Sequence, residues 1–346
     1  MDFQRLLSQL SPQAAALSLA LAAALAYLLL ARRARIAAPS RQQAVVISGC
    51  DSGFGEGAAL RLRDAGFTVF AGCLTPAGVA RWRGQAHVEA FELDVTSERS
   101  VAEALADVVA PWLRQRGQKG RALFALVNNA GIGTSGLADW CSTETYRRTM
   151  DVNFHGHVAM TKAFLPELMA AAAAAAAAGA PRPRVVSVTS VAGILAAPGL
   201  SAYCASKYAL EAFSDALRRE MAPWRLGVAI IEPSFLATPI LHNVKEKSTA
   251  LWESLPALTQ KNWGRDYFAA TLAQGQRITA GAESPTLGID AICDAVCEVE
   301  PAARYRAGTA GKTYLPLIAA LPAAAADALI RLSAPAIVPD GMRKAK

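Results

Sequence analysis

A tyrosine and a lysine in the second half of the chain have the spacing of a proton-transfer pair. Tyr203 and Lys207 are four residues apart on a predicted helix, so their side chains share one face. A phenol has an ordinary pKa of about 10 and is a poor base at neutral pH. A neighbouring ammonium favours the phenolate and brings the pKa of the phenol towards the working range of a general base. Taken alone, the pair could also be a buried Tyr and a solvated Lys on a core helix.

A run of glycines near residue 50 is the second feature with chemical meaning. Gly49, Gly53 and Gly55 have the spacing G-x3-G-x-G and lie between an apolar, β-rich run and a predicted helix. Glycines at such a junction permit a tight turn and let a pyrophosphate approach the backbone N–H groups of the helix N-terminus. The alternative is a glycine-rich turn without a ligand. The position at the first strand–helix junction favours phosphate binding.

The elements that must position these residues alternate regularly along the chain. We predict strands at 44–48, 67–72, 88–93, 123–127, 185–189 and 226–231, and helices to about 64, over 98–116, from about 151 and over 202–221. The helix from 151 continues through nine alanines at 170–178, because alanine is a strong helix former. Regular alternation predicts an α/β fold in which a parallel sheet carries helices on both faces.

Further motifs accompany the glycine loop and the Tyr–Lys pair in a fixed order. They are Asp94 in L-D-V-T, Asn129 in N-N-A-G, Asn153 in M-D-V-N-F, and Ser190, thirteen residues before Tyr203. With S-G-C-D-S-G-F-G at 48–55 and Y-x-x-x-K at 203–207, they resemble the short-chain dehydrogenase/reductase family from about residue 43 to about 310. The resemblance implies a single Rossmann-type domain with a doubly wound parallel sheet, and a homodimer.

The resemblance also implies a role for each motif. Tyr203 is the expected general base, Ser190 hydrogen-bonds the substrate oxygen and stabilises its developing charge, and Asn153 holds a water that links Lys207 to solvent. Lys207 also binds the nicotinamide ribose. The expected cofactor-binding residues are Ser48, Gly49, Asp51, Ser52, Gly53, Phe54, Gly55, Asp94, Val95, Asn129, Ala130, Gly131, Tyr203, Lys207, Pro233 and Thr238. The family needs no catalytic metal.

The residues of several segments indicate one branch within the family. C-D-S-G-F-G, A-G-C-L-T ending at Thr75, the segment 224–233 and G-R-D-Y at 264–267 resemble the membrane-anchored branch that holds the retinol dehydrogenases and the type 2 11β- and 17β-hydroxysteroid dehydrogenases. That branch implies NAD-dependent oxidation of a lipophilic alcohol, a steroid or retinoid, to a ketone or aldehyde. An NADPH-dependent carbonyl reductase of a lipid or xenobiotic is the alternative. A catalytically idle nucleotide-binding scaffold conflicts with the intact catalytic set.

Charges near the glycine loop bear on the choice of cofactor. The 2′-phosphate of NADP needs Arg or Lys near the end of the second strand or in the glycine loop, whereas an acid favours NAD. The segment 70–75 carries neither, and Asp51 in the glycine loop would repel a phosphate. Arg81 and Arg83 are interpreted as a solvated helix face. We therefore expect NAD rather than NADP.

The segment after Pro233, about 234–278, is the expected substrate lid. Its large apolar side chains are Trp252, Leu255, Leu258, Trp263, Tyr267 and Phe268. This set suits an apolar cover over a flat lipophilic substrate, although some members must serve ordinary helix packing. Ser234 departs from the Pro-Gly that the family commonly has here, and it adds a side chain beside the expected nicotinamide position.

The N-terminal segment has the properties of a membrane anchor. Ala14 to Ala31 is an uncharged run of eighteen residues, close to the minimum length that spans a bilayer core. Arg32, Arg33 and Arg35 follow it, which places the remainder of the chain in the cytosol by the positive-inside rule. We predict a single-pass anchor in the endoplasmic reticulum or another intracellular membrane over 1–38, a catalytic domain over 43–310 and a membrane-associated or tail segment over 311–346. A secretory signal peptide and a shallow or re-entrant anchor are the alternatives.

Composition excludes several other classes of protein. Hydrophobic residues make up 53% of the 346 residues and charged residues 18%, which excludes intrinsic disorder. The net charge of +7 is concentrated near the two ends without a basic helix that carries interleaved aromatics, so we expect membrane contact and no nucleic acid. The six scattered cysteines lack a C-x-x-C pair and indicate reduced thiols. His155 and His157 are interpreted as helix-packing residues near a subunit interface.

Overall fold

The strands of the described residues form one parallel sheet. The strands are β1 (Gln43–Ser48), β2 (Thr68–Cys73), β3 (Val88–Glu92), β4 (Ala122–Asn128), β5 (Arg184–Val188), β6 (Gly227–Pro233) and β7 (Arg304–Ala307). In the described part of the chain they lie in the order β3-β2-β1-β4-β5-β6-β7, and every neighbouring pair is parallel. Strands β2, β5 and β6 are buried along their whole length. Such strands are covered on both faces, and their sequences are therefore mainly apolar, although Arg184, Ser187 and Glu232 are buried within them.

The computed structural model describes residues 34–36, 39–115, 120–332 and 337–343. The chain divides into two compact units, Met1–Arg35 and Ile36–Lys346. The second unit contains the whole sheet and confirms the predicted Rossmann-type fold in a single domain. The predicted anchor, Ala14 to Ala31, lies outside the described residues, as do Arg32 and Arg33.

Helices connect the strands and cover both faces of the sheet. They are α1 (Gly53–Ala65), α2 (Pro76–Ala80), α3 (Glu98–Glu103), α4 (Ala110–Leu113), α5 (Thr143–Met150), α6 (Gly156–Ala178), α7 (Ser201–Glu220), α8 (Val244–Ser254), α9 (Ala257–Trp263), α10 (Arg265–Ala280), α11 (Thr286–Cys297), α12 (Thr309–Lys312), α13 (Tyr314–Ala319) and α14 (Ala323–Arg331). Successive residues of β1 point to opposite faces, so Val45 and Ile47 pack with α1 and α11 while Ala44 and Val46 pack with α6.

The strand order reverses beside β1, which pairs with β2 on one side and β4 on the other. The segments after β1 and β4 therefore diverge at the carboxyl ends of the strands and leave a crevice, the usual ligand site of such sheets. These segments contain the glycine loop and N-N-A-G. The topology alone thus places the two motifs side by side.

The structure differs from the sequence-based predictions in strand β7 and in the helix predicted over 98–116. Strand β7 was not predicted, because R-Y-R-A has no apolar run. The predicted helix 98–116 is divided by a π turn at Ala104–Val109 and ends at Leu113. Pro111 follows that turn and has no N–H to donate to the preceding turn. The alanine run is helical, as predicted, and ends at Gly179, whose φ of 60° is left-handed.

One helix among the described residues, Thr143–Ala178, is long and apolar enough by length and composition to cross a membrane. Its mean hydropathy is 1.3. Met160, Phe164 and Leu168 of this helix are fully buried in the core beside the sheet. By these contacts it is a core helix of the α/β domain, and core helices pass the same test of length and composition.

Candidate active site

Strand β5 and helix α7 bring the predicted catalytic side chains together. The hydroxyl of Tyr203 lies beside the side chain of Ser190, two residues beyond β5. The Ser190 Oγ also accepts from the Ala192 N–H at 3.1 Å, which fixes it at the start of a short 3-10 turn. Lys207 Nζ lies 5.8 Å from the centre of the Tyr203 ring. The three groups therefore form one cluster, as the sequence motifs predicted.

Burial controls the acid–base state of this cluster. It raises the pKa of Tyr203 to about 12, although the hydrogen bond from Ser190 acts in the opposite direction. It lowers the pKa of Lys207 to about 8, and the Glu211 carboxylate opposes this shift. The expected lowering of the Tyr203 pKa by Lys207 is not seen in this structure. Loss of solvation raises the pKa of the phenol, and the Lys207 Nζ donates to the Val188 carbonyl at 2.9 Å instead.

Asn153 lies in a π turn, Asp151–His155, between α5 and α6. Its Oδ1 accepts from the Ile132 N–H at 2.8 Å, and its Nδ2 donates to the Ile132 carbonyl at 3.0 Å and to Ser206 Oγ at 3.1 Å. A Cβ at Gly131 would lie 3.3 Å from Asn153 Oδ1 and 3.7 Å from Lys207 Nζ. The side chain of Asn153 thus ties the segment after β4 to the catalytic helix. Its predicted contact with a water stays a prediction.

The glycine loop and N-N-A-G are joined by hydrogen bonds across the crevice. Ser48 Oγ accepts from the N–H groups of Asn129 and Ala130, each at 3.1 Å. Asn129 Nδ2 donates to the Ser48 carbonyl at 2.9 Å and to the Gly49 carbonyl at 3.1 Å. A Cβ at Gly55 would lie 2.2 Å from the Gly49 carbonyl oxygen, so only glycine fits there. These contacts shape the loop that leads into α1.

The start of α1 fits a pyrophosphate, because glycines leave its N-terminal amides open to a ligand. The segment after β6 borders this position: a Cβ at Gly53 would lie 3.4 Å from Pro239 Cδ and 3.9 Å from Thr238 Cβ. The side chain of Phe54 is directed away from the loop. Its ring packs against α11, where a Cβ at Gly288 would lie 2.6 Å from the ring. Only the backbone of Phe54 is therefore placed to contact a cofactor.

Asp51 and Arg81 meet at the end of β2. The carboxylate of Asp51 accepts from the N–H groups of Leu74 and Thr75 at 2.8 and 3.1 Å and from Thr75 Oγ1 at 2.8 Å. Arg81 Nη1 donates to the Asp51 carbonyl at 2.8 Å, and its other nitrogen pairs with Glu56. Arg81 is exposed, as expected of a solvated helix face, but its guanidinium also reaches the glycine loop. Helix α2 is so short that Arg81 falls beside the glycine loop.

Asp94 and Val95 follow β3, on the other side of the glycine loop. Asp94 Oδ1 accepts from the Thr96 N–H at 2.9 Å and from Thr96 Oγ1 at 2.7 Å, and the residue is exposed. Val95 is buried against α6, where a Cβ at Gly156 would lie 2.7 Å from Val95 Cγ2. The Asp94 turn is thus open to a ligand, while the Val95 side chain belongs to the core.

The side chain of Ser234 points away from the expected nicotinamide position, which corrects the prediction. Its Oγ faces β7, so a Cβ at Gly308 would lie 2.1 Å from it. The Ser234 N–H donates to the Ala307 carbonyl at 2.8 Å and continues the pairing of β6 with β7. Gly308, at φ 88°, leaves the space that the serine occupies. Pro233, the preceding residue, accepts from Ser190 Oγ through its carbonyl at 3.4 Å.

Aromatic side chains of the predicted lid pack together with Trp140 in one cluster. Trp252 stacks on Phe268 with ring centres 4.8 Å apart, and Trp140 meets Trp252 edge to face at 5.5 Å. Trp263 Nε1 donates to Asp139 Oδ2 at 2.8 Å, which connects the lid to the segment after β4. Of the predicted lid residues, Trp252, Leu255 and Phe268 are buried, whereas Leu258 is exposed. Trp140 was not predicted, because an isolated Trp in an irregular segment gives no periodic signal.

The two histidines after Asn153 have different environments. His155 is exposed and its Nδ1 pairs with Asp151 Oδ1 at 3.0 Å. His157 is fully buried, and its Nε2 is hydrogen-bonded to the Ala130 carbonyl at 2.7 Å. Burial, together with the nearby Lys207, lowers the pKa of His157 to about 3. A neutral imidazole thus supports the N-N-A-G segment from beneath, a role that the sequence analysis did not assign.

Comparisons with known proteins agree with this geometry. The model of the short chain dehydrogenase family matches residues 43–249. Retinol dehydrogenase 5 of Mus musculus is 37% identical over 306 residues, which are 86% of this chain and 91% of that protein. 17-beta-hydroxysteroid dehydrogenase type 6 of Bos taurus is 34% identical over 313 residues, 88% of this chain and 92% of the relative.

A third relative has a name that indicates a different kind of alcohol. Mitochondrial D-beta-hydroxybutyrate dehydrogenase of Mus musculus is 35% identical over 274 residues, 76% of each chain. Among solved structures, a short chain dehydrogenase/reductase from Burkholderia phymatum in complex with NAD has a TM-score of 0.63 at 21% identity, over 86% of this chain and 97% of its own. One from Burkholderia cenocepacia in complex with NADP has a TM-score of 0.58 at 21% identity, over 80% and 92%. These structures agree in fold.

Proposed function

Because this chain belongs to the short-chain dehydrogenase/reductase family, in its retinol and steroid dehydrogenase branch, and is an oxidoreductase acting on CH–OH groups, we propose that it oxidises a lipophilic alcohol with NAD. The substrate is a steroid or retinoid, and the product is the ketone or aldehyde. The observation that carries the proposal is the cluster of Ser190, Tyr203 and Lys207, on the same edge of the sheet as the glycine loop.

In the proposed reaction, Tyr203 takes the hydroxyl proton of the alcohol as its carbinol C–H bond is broken. Ser190 and Tyr203 lie side by side, so both can contact one substrate oxygen, and Ser190 stabilises the charge that develops there. Lys207 stands beside the phenol as the ammonium below a pH of about 8. The bound nicotinamide supplies the hydride acceptor and a positive charge that favours the phenolate. Asn153 holds the segment after β4 against the helix that carries the base.

We propose that the cofactor lies across the crevice between the segments that follow β1 and β4. Backbone amides of the glycine loop and the start of α1 bind the pyrophosphate, Asp94 and the backbone at Val95 contact the adenine, and Thr238 contacts the carboxamide. Ser48 and Asn129 act indirectly, because their polar groups are bonded to each other's segments. The further residues proposed to border the cofactor are Gly49, Ser52, Gly53, Phe54 through its backbone, Gly55, Ala130, Gly131 and Pro233.

The proposed preference for NAD rests on the charges at the end of β2. Within the described residues, Asp51, Glu56 and Arg81 bring two carboxylates and one guanidinium together. This balance disfavours a 2′-phosphate, and the Asp51 carboxylate is placed to accept from a ribose hydroxyl. One observation favours the second candidate, an NADPH-dependent carbonyl reductase: the guanidinium of Arg81 reaches the glycine loop.

A substrate screen tests the proposal. Purified full-length protein is assayed with retinol, oestradiol, testosterone, cortisol and D-3-hydroxybutyrate, each with NAD and with NADP. Turnover of a steroid or retinoid with NAD supports the proposal, and the apolar lid around Trp252 and Phe268 is the reason to expect it. Preference for the hydroxy acid would overturn the substrate class. Better reduction of a ketone with NADPH would favour the second candidate.

The proposed setting is an intracellular membrane, with the catalytic domain on the cytosolic side and a second copy of the chain as partner. Several apolar side chains near the C-terminus are exposed, among them Leu317 at 70% and Leu332 at 83%. Basic residues, including Arg331 and Arg343, lie close to them in the sequence. Apolar side chains with nearby cations suit contact with a membrane surface. A lipophilic substrate would then reach the lid from the bilayer.

A further inference from the structure

A buried cluster of carboxylates and arginines lies one helical turn beyond the catalytic lysine. Glu211 follows Lys207 by four residues on α7 and is only 6% exposed. Its Oε1 accepts from Thr189 Oγ1 at 2.5 Å, and its Oε2 accepts from Arg304 Nη2 at 3.0 Å. Thr189 immediately precedes Ser190. The carboxylate therefore touches the residue before one catalytic group and lies one turn from another.

The same arginine reaches the strand that leads into the cofactor segment. Arg304 Nε donates to Glu232 Oε1 at 2.8 Å, and Arg306 Nε donates to Glu232 Oε2 at 2.9 Å. Glu232 is fully buried and directly precedes Pro233. Arg304 thus links helix α7 with strand β6 through two carboxylates. Because Arg304 is a residue of β7, this strand has a role that the sequence of the strand did not suggest.

Close packing joins the Ser190 turn to the same part of α7. A Cβ at Gly193 would lie 2.9 Å from Glu211 Cγ and 3.0 Å from the Lys207 carbonyl oxygen. The single hydroxyl proton of Thr189 has two acceptors in reach, Glu211 Oε1 and the Ile231 carbonyl at 2.8 Å. A hydrogen bond to an ionised carboxylate is the stronger of the two. Glu211 therefore holds Thr189, and with it the start of the Ser190 turn.

We propose that Glu211 is a positioning residue of the active site: its carboxylate fixes Thr189, and so Ser190, against the helix of Tyr203, and places a negative charge one turn from Lys207. Arg304 keeps this carboxylate in place. The proposal rests on the proposed function for its kinetic part only. The buried ion pair of Glu211 and Arg304, which lies outside the sequence motifs, would thus affect catalysis.

Charged groups from all neighbouring elements bear on this pair. Tyr203 and His157 face Lys207, and Glu232 and Arg304 face Glu211. His157 is neutral near pH 7, because its pKa is lowered to about 3. Glu211 raises the pKa of Lys207 against the effect of burial. Removal of its charge therefore lowers the pKa of Lys207.

The test compares Glu211→Gln with the matched control Asp215→Asn in the full-length protein. Asp215 lies on the same helix and shares Arg304 at 3.2 Å, but it is further from Lys207 and more exposed. The pH dependence of kcat/KM for alcohol oxidation should shift to lower pH by about 1 unit in Glu211→Gln and stay in place in Asp215→Asn. A Glu211→Gln profile that superimposes on the wild type, or an equal shift in Asp215→Asn, would overturn the proposal.

A second measurement needs no turnover. The pH titration of the Lys207 Cε chemical shift in protein labelled with [ε-¹³C]lysine should show the same lowering in Glu211→Gln, and an unchanged Lys207 pKa there overturns the electrostatic part. If the wild type oxidises no alcohol, the proposed function fails while this titration still decides the role of Glu211. If Glu211→Gln does not fold, Thr189→Val tests the positional part: kcat should fall with little change in KM for NAD, and an unchanged kcat would contradict it.

Discussion

Lys207 Nζ donates a hydrogen bond to the Val188 carbonyl at 2.9 Å, at the carboxyl end of β5. The ammonium of the catalytic helix is thus anchored to the strand that leads to Ser190, and not to the phenol of Tyr203. Because Lys207 is buried, this bond also satisfies a polar group that would otherwise be costly to hide from water. Strand β5 therefore helps to hold the Tyr203–Lys207 pair in place. The geometry of the pair depends on β5 as much as on the four-residue spacing along the helix.

Substitution of the proposed base should abolish turnover. In Tyr203→Phe we expect kcat to fall by about 10²- to 10⁴-fold, the typical contribution of a general acid–base group. Binding of NAD, measured by fluorescence titration, should remain nearly intact because the ring is retained. Tyr208→Phe is the matched control, since Tyr208 is exposed on the same helix. This variant should keep the wild-type activity. If Tyr203→Phe retained more than about a tenth of the wild-type kcat, the assigned mechanism would be wrong.

The cofactor preference should follow the carboxylates at the end of β2. We expect kcat/KM with NAD to exceed that with NADP by about ten- to a hundred-fold, on the scale of about 1–3 kcal/mol for a lost charge-assisted hydrogen bond. Arg81→Ala should leave this preference in place, as should the control Arg83→Ala. Both cofactors are compared on one alcohol. Equal or better use of NADP that Arg81→Ala removes would show that Arg81 binds the 2′-phosphate.

The glycine loop should not tolerate a side chain at Gly55. The Cβ of Gly55→Ala would lie 2.2 Å from the Gly49 carbonyl oxygen, and backbone must move to relieve it. We expect a loss of stability of about 1–3 kcal/mol, typical of overpacking, and weaker NAD binding. Gly275→Ala is a suitable control, because its Cβ would approach only Val244, at 4.0 Å. Urea unfolding and NAD titration check both effects, and wild-type affinity in Gly55→Ala would contradict the assigned phosphate site.

His157 should make the protein sensitive to mild acid. Its pKa is about 3 in the folded chain and about 6.5 when unfolded, so the unfolded state binds the proton first as pH falls. This contribution to stability is intact above about pH 6.5 and is lost progressively towards pH 3. Between pH 7.5 and 5.5 it amounts to about 1.4 kcal/mol. Urea unfolding of wild type and His157→Gln at both values measures it, with the exposed His155→Gln as control. The same pH dependence in His157→Gln would refute the assignment.

The anchor prediction concerns topology. The Arg32 to Arg35 cluster should hold the catalytic domain on the cytosolic side. Protease added to sealed microsomes that carry the full-length protein should then digest the domain, and detergent should make no difference. Protection of the domain, or N-terminal processing near Ala31, would instead indicate a lumenal or secreted protein.

The sequence by itself determined the strands and the main motifs of this protein. Six strands, the glycine loop and the Tyr203–Lys207 spacing are local features, because each depends on residue types within a few positions and on one periodicity. The order of the motifs predicted that Ser190 and Asn153 lie near the Tyr203–Lys207 pair. These features could be predicted because short-range geometry specifies them.

The tertiary structure alone decided which way several side chains point and what lies beneath the site. Arg81 reaches the glycine loop, Ser234 turns towards Gly308, and Glu211 meets Arg304 across 93 residues of chain. None of these contacts follows from a repeating pattern in the sequence. Each depends on where strands β2, β6 and β7 end in space. Burial then set the pKa values of Tyr203 and Lys207, since desolvation depends on everything packed around a group and not on its neighbours in sequence.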